Sequence, residues 1–374
     1  MHGRQKNKLI ERRDFYNART QFPFWNARAK DGELETKLME FSYKRRVLAA
    51  LLGGKVDRVP VTSLAGCGGT VTVEMQDAVD IHCPEAHKDA EKMAKLAIAS
   101  YELTGIENVR VPFDFVVEPE ALGCEIRWGT NPESVPAVRT HPFEKPEDLK
   151  MPKNLLEKGR IPVILEAIRM VRKEVGDFLP ISSLALGPFT LAGELAGVEK
   201  LLIWTIRKPD YVKEFVAFAT EIVLAYAKAQ YRAGSDIVQV GDPTASPELI
   251  GPASFKQFVK PALTQIAESL GGPRLLHICG RAEAIVPDMA ETGFDGISID
   301  DAVDVAKIKP LVGNVKILGN VSSKSTLVFG SPKDVKKEAR KALKSGVDFL
   351  EPGCGFSPIT PIDNIKAMVE AVKE

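Results

Sequence analysis

The chain reads as a single (β/α)8 barrel behind a charged N-terminal extension. Three observations predict this. Eight short apolar runs alternate with segments of helical period along residues 41–374. Several of the helical segments open on Pro or Asp and close on Gly, as isolated helices do. No G-x-G-x-x-G opens a helix after the first run, which weighs against the rival, a doubly wound dinucleotide-binding sheet.

Taken in order, residues 1–40 are charged and carry an aromatic group of Phe15, Tyr16, Phe22, Phe24 and Trp25. They are expected to pack over the barrel or across a homodimer interface, because exposed aromatics favour association. Residues 41–54 form a helix with Phe41, Val47, Leu48, Leu51 and Leu52 on one side, stopped by Gly53 and Gly54. Strands are expected at 59–62, 109–113, 181–186, 237–241, 275–279, 296–300, 316–319 and 349–351. Helices are expected at 89–103, 162–175, 210–233, 252–270, 282–292, 303–312, 332–345 and 361–373. The polar, proline-rich stretch 115–160 reads as an insertion after the second strand, with a short hairpin around Cys124–Trp128.

Composition narrows the function. The 50 Lys+Arg balance the 50 Asp+Glu, so no basic excess points to nucleic acid. The basic opening, with Arg4, Lys6, Lys8, Arg12 and Arg13, reads as a solvated surface. No apolar run reaches the ~18–20 residues of a membrane span, and the N-terminus lacks the apolar core of a secretory signal. The five cysteines are scattered, which fits a reducing cytoplasm better than a disulfide scaffold.

In a (β/α)8 barrel the polar residues at the C-terminal ends of strands converge on one mouth. Here they are Asp114, Asp242, His277, Cys279, Asp300, Asn320, Glu351 and Cys354. His277 and Cys279, two apart on one strand, share a face. Cys354, in Pro352-Gly353-Cys354-Gly355, ends the last strand. One imidazole and two thiolates suit zinc, with a fourth position left for substrate. Asp242, Asp300 and Glu351 are the candidates to orient His277, to act in catalysis or to supply a labile fourth ligand. The loop Gly66-Cys67-Gly68-Gly69 lacks the Lys-Ser/Thr ending of a phosphate loop. It is expected to back a bulky ligand or to bring an extra thiol near the site. Cys67, Gly68 and Asn320 are therefore the candidate cofactor-binding residues. Cys83 and Cys124 are expected to be structural, and His82, His87 and His141 to lie on the surface or in loops.

These residues carry a resemblance. Gly54-Lys55-Val56-Asp57-Arg58-Val59-Pro60-Val61, Val109-Arg110-Val111-Pro112-Phe113, Gly241-Asp242-Pro243-Thr244-Ala245-Ser246, His277-Ile278-Cys279-Gly280, Gly319-Asn320-Val321 and Pro352-Gly353-Cys354-Gly355 resemble the zinc-dependent methylcobamide methyltransferases of the uroporphyrinogen decarboxylase superfamily. The resemblance covers roughly residues 42–374 and is strongest to the methylcobamide:coenzyme M type. It implies a uroporphyrinogen-decarboxylase-type barrel, and a His-x-Cys and distant Cys zinc motif on His277, Cys279 and Cys354. It also implies a corrinoid (cobalamin) carried by a partner protein, and a small-molecule methyl donor or acceptor. Uroporphyrinogen decarboxylases lack that zinc set, so its presence counts against decarboxylation.

Three functions remain open to the sequence. The first is transfer of methyl from a corrinoid protein to a thiol such as coenzyme M. The second is O-demethylation, passing methyl from a methoxylated aromatic to a cobalt(I) corrinoid. The third is tetrapyrrole binding around a structural metal, which needs a closed four-ligand site. A sulfonated thiol calls for a cation such as Arg110 or Arg281. A methoxyarene calls for an apolar slot, closed by Phe22, Phe24 or Trp25.

Overall fold

The computed structural model describes residues 42–373, so the expected packing of the extension 1–40 lies outside them. Seven parallel strands form one curled sheet in the order β1 (Val109–Val111), β4 (Ile181–Leu186), β5 (Ile237–Gly241), β6 (Arg274–His277), β7 (Gly296–Ser298), β8 (Lys316–Val321) and β9 (Phe349–Pro352). The hairpin β2 (Ile126–Arg127) and β3 (Ala137–Val138) stands apart, inside the expected insertion. β1 stops at Val111 because Pro112 has no N–H to give the ladder.

The eighth place in the ring is filled differently from expectation. Residues 59–62 form no strand, only a single parallel bridge from Val61 to Leu350. Thr62 N–H donates to Leu350 O, Leu350 N–H to Pro60 O, and Glu107 N–H to Val61 O. Asn108 completes the seam by pairing its side-chain amide with the Ser63 main chain. Pro60 cannot donate, so side chains replace part of the ladder and the segment still closes the sheet between β9 and β1.

Helices cover the outside of the sheet. Ala90–Thr104 starts where Asp89 accepts from Lys92 N–H and ends at Gly105. Pro332–Ser345 starts with a capping box between Ser331 and Asp334. The stretches 282–292 and 303–312 are each broken into two short helices, with Pro287 and Pro310 in the first turn of the second piece. Two helices, Pro188–Ala196 and Val198–Arg207, were not expected and lie between β4 and the long helix Pro209–Ala233. Among the described residues no helix is long and apolar enough to cross a membrane.

Inside the barrel, side chains alternate in layers, and this positions the site. Ile237, Leu275, Leu318 and Phe349 point inward and pack on Val47 and Leu51 of the helix Tyr43–Leu51, which plugs one end. Burying each of these is worth about 1.5–3 kcal/mol. Two residues further along the same strands come Gln239, His277, Asn320 and Glu351. One strand repeat therefore turns an apolar floor into a polar layer at the C-terminal ends.

Candidate metal centre

His277 ends β6, and Cys279 follows on the same inward-facing side. Ile278 between them points outward into the helix-facing core. His277 is fully buried. Its Nδ1 lies 3.0 Å from Ser298 Oγ, on the register partner in β7. That contact occupies one ring nitrogen and leaves Nε2 facing Cys354 Sγ at 3.6 Å.

Cys354 and Cys67 arrive on two glycine loops that stack backbone on backbone. Gly66 has φ +111°, and a Cβ there would sit 2.5 Å from the Cys354 carbonyl carbon. Gly355 has φ +85°, and a Cβ there would meet Gly68 O at 2.5 Å. Only glycine permits both the left-handed backbone and the approach. As a result Cys67 Sγ reaches to 3.1 Å from Cys279 Sγ. Cys67, His277, Cys279 and Cys354 each offer a donor atom, and all four lie within 4.8 Å of one another.

The donor set fits zinc. Zn–S bonds of ~2.3 Å at tetrahedral angles put sulfurs about 3.8 Å apart, and S–N edges are slightly shorter. The 3.6 Å Cys354–His277 edge matches that size, and the 3.1 Å Cys67–Cys279 edge is shorter than a tetrahedral S–S edge. The electrostatics agree. Hydrogen bonds from Cys279 and Cys67, together with the His277 imidazole, hold the Cys354 thiol well below its usual range despite burial. Burial pushes His277 down, but the charges on Cys279 and Cys354 raise it to about 10. The cluster gathers negative charge and draws cations to it.

The sequence expected three ligands; the structure assembles four candidate groups, the fourth being Cys67. Asp242, Asp300 and Glu351 are not among them. Asp242 accepts from Phe189 N–H, Thr190 N–H and Thr190 Oγ1–H, capping the helix Pro188–Ala196, and burial raises it to about 6. Asp300 accepts from Gly280 N–H at 3.2 Å and so holds the turn that follows Cys279. Glu351 accepts from Thr62 Oγ1 at 2.6 Å and Leu64 N–H at 2.7 Å, with burial raising it to about 7. Asn320 Nδ2 donates to Asp300 O and Val303 O. Ser298, which orients His277, was missed; its place opposite His277 in the next strand was the available signal.

A cavity of about 230 Å³ opens onto Cys67, Gly68 and Cys354. Phe113 and Phe356 form part of its wall, and among the described residues that line it His87 and Lys324 are the basic ones and none is acidic. His87 corrects an expectation: it is buried, with Nδ1 2.9 Å from Asp114 Oδ2. Burial opposes its charge, but Asp114 holds it protonated to about pH 9. Arg110 is likewise fully buried rather than reaching for substrate. Its guanidinium donates to Ala65 O, Gly66 O and Gly68 O at 2.7–2.9 Å, bracing the Cys67 loop. Arg281 is exposed.

The uroporphyrinogen decarboxylase family model matches residues 42–374. The chain belongs to the uroporphyrinogen decarboxylase family. Within it, the methylcobamide:CoM methyltransferase MtaA of Methanosarcina barkeri is 44% identical over 340 residues, covering 90% of this chain and 99% of that protein. A methylated-thiol–coenzyme M methyltransferase of Methanosarcina mazei is 39% identical over 336 residues, 90% of each chain. A solved methyltransferase from Methanosarcina mazei superimposes with a TM-score of 0.85 at 44% identity, over 89% of this chain and 98% of that one. The barrel fold and the family resemblance read from sequence both stand.

Proposed function

We propose that the chain is a zinc-dependent methyltransferase. It moves a methyl group from a methylated corrinoid, delivered by a partner protein, to the sulfur of a small anionic thiol such as coenzyme M. The observation that carries this reading is the Cys67, His277, Cys279 and Cys354 cluster at the end of a cavity. The names of the relatives support the same chemistry.

When bound, zinc would act as a Lewis acid that lets a substrate thiol react as thiolate at neutral pH. His277, Cys279 and Cys354 would hold it, with Ser298 fixing the imidazole tautomer. The thiolate sulfur attacks the methyl carbon, and the cobalt–carbon bond breaks with its electron pair remaining on cobalt. Cobalt(III) thus becomes cobalt(I), and the thiol proton passes to solvent. The protein's own share is orientation and charge. His87 and Lys324 are the basic side chains that face the cavity, each paired on its far side with a carboxylate, Asp114 and Asp300, and each is a candidate donor to a sulfonate.

Methylcobalamin mixed with coenzyme M and the zinc-loaded protein should yield methylated thiol and the cobalt(I) spectrum. Transfer from a methoxyarene to cobalt(I) cobalamin, with none to the thiol, would replace this reading by O-demethylation.

A further inference from the structure

We propose that Cys67 is a fourth, displaceable ligand of the metal centre, which an incoming thiol replaces by rotation of the Cys67 side chain alone; this rests on the thiol-transfer reading above.

The four donors are not equivalent. His277 and Cys279 follow one strand, and Cys354 follows another with its N–H fixed on Ser323 Oγ at 3.0 Å. Cys67 stands on a loop, between two glycines. Cys67 and Cys354 line the cavity, whereas His277 and Cys279 do not. A molecule entering the cavity therefore meets Cys67 and Cys354 before the buried His277.

The loop backbone is fixed. Arg110 binds three of its carbonyls, Gln239 Nε2 adds a contact to Gly66 O at 3.3 Å, and Phe356 N–H donates to Gly69 O at 2.9 Å. The stacked glycines leave no room for the loop to move toward Cys354. Exchange must then come from χ1 of Cys67, which has three staggered positions and open cavity beside it.

Charge favours the same assignment. Zinc with three thiolates and a neutral imidazole carries one net negative charge. Arg110 is a buried guanidinium whose hydrogen bonds in the structure all go to carbonyls. It sits behind the loop, where its charge faces Glu351 first and then Cys67 and Cys354. Replacing Cys67 by a substrate thiolate keeps that balance: one metal–sulfur bond breaks as another forms. The substrate's thiol proton goes to the released Cys67 sulfur or to water.

Cobalt(II) in place of zinc counts thiolates through the intensity of its sulfur-to-cobalt charge-transfer band. We expect three thiolates in the wild-type protein, before and after addition of coenzyme M. Cys67→Ser and Cys67→Ala should keep one metal per chain, show two thiolates at rest, and rise to three with coenzyme M or with excess 2-mercaptoethanol. Two thiolates in the resting wild type would overturn the assignment. A rise from three to four on adding thiol would overturn displacement, as would failure of both thiols to raise the count in the variants. If these counts hold but methylcobalamin transfers nothing to coenzyme M, the functional reading fails and the ligand assignment stands.

Discussion

Two polar clusters flank the same cavity, and each contains a buried histidine whose pKa its neighbours raise, His87 to about 9 and His277, in the metal-free protein, to about 10. Around His87 the charges close on themselves. Arg160 pairs with Asp114 at 2.9 Å and with Glu120 at 2.7 Å, and His87 completes the group. Arg160 and Lys88 also stack on Trp128. Around His277 there are three thiols and, among the described residues, no basic side chain hydrogen-bonded to them. A raised histidine therefore does not mark a metal site. What marks it is a set of converging soft donors, and of the two clusters only the second is such a set.

The largest effect should come from removing a donor of that second cluster. Cys354→Ser or Cys279→Ser should take zinc from one per chain to near zero, since an alcohol is a poor zinc ligand at neutral pH. Methyl transfer should fall by more than the ~100-fold typical of losing a supporting partner. Elemental analysis beside a transfer assay checks both. Full zinc with full activity in either variant would remove the distinction between the clusters.

The ion-pair cluster should respond in stability instead. Arg160→Met leaves Asp114 buried and without its guanidinium, a change that costs about 3–5 kcal/mol. Thermal and denaturant unfolding should register it, while zinc per folded chain stays at one. Loss of zinc in step with stability would show that the two clusters act as a unit.

How much of this was legible in sequence depended on whether a residue's role was local. His277 and Cys279 could be paired because strand geometry puts positions two apart on one face. Cys354 could be placed because the last strand of a barrel returns to the same mouth. Cys67 was read as a candidate cofactor-binding residue or an extra thiol near the site, not as a member of the metal cluster. Its approach depends on Gly66 and Gly355 from segments nearly 300 residues apart, and backbone stacking leaves no periodicity to read. His87 was expected on the surface or in a loop, and its burial was not legible because its partners, Asp114 and Arg160, come from other elements. Asp242 was read as a site residue from its strand-end position, and its partners belong to a helix the sequence did not announce. The closing segment 59–62 had strand-like residues, yet Pro60 kept it from a full ladder.

The histidine of the ion-pair cluster gives a pH test. His87 titrates near 6.5 unfolded and is raised to about 9 when folded, since Asp114 outweighs burial. Its contribution to stability is thus fully present below pH ~6.5 and lost as pH rises through about 9. The groups facing it are Asp114 and Cys83, with Arg160 behind Asp114 and Lys88 across Trp128. His87→Gln should lower Tm at pH 6 and lose that deficit by pH 9.5. A deficit independent of pH would mean that His87 packs there as a neutral ring. The same variant should raise KM for an anionic thiol more than it lowers kcat.

The smallest effect should come from the residue that gives His277 its direction. Ser298 Oγ lies 3.0 Å from Nδ1, and both residues are buried at the matched ends of adjacent strands. A hydroxyl there keeps the proton on Nδ1 and frees Nε2. Ser298→Ala removes the partner while leaving the ring packed, so the imidazole can take the other tautomer or turn. Loss of such a partner typically costs 10–100-fold in metal affinity. Competition with a calibrated chelator should show that loss, with little change in the unfolding midpoint of the metal-free protein. Ser298→Thr, which restores the hydroxyl, should recover most of the affinity. If Ser298→Ala binds zinc as tightly as wild type, the thiolates alone orient the centre, and His277 needs a partner less than His87 does.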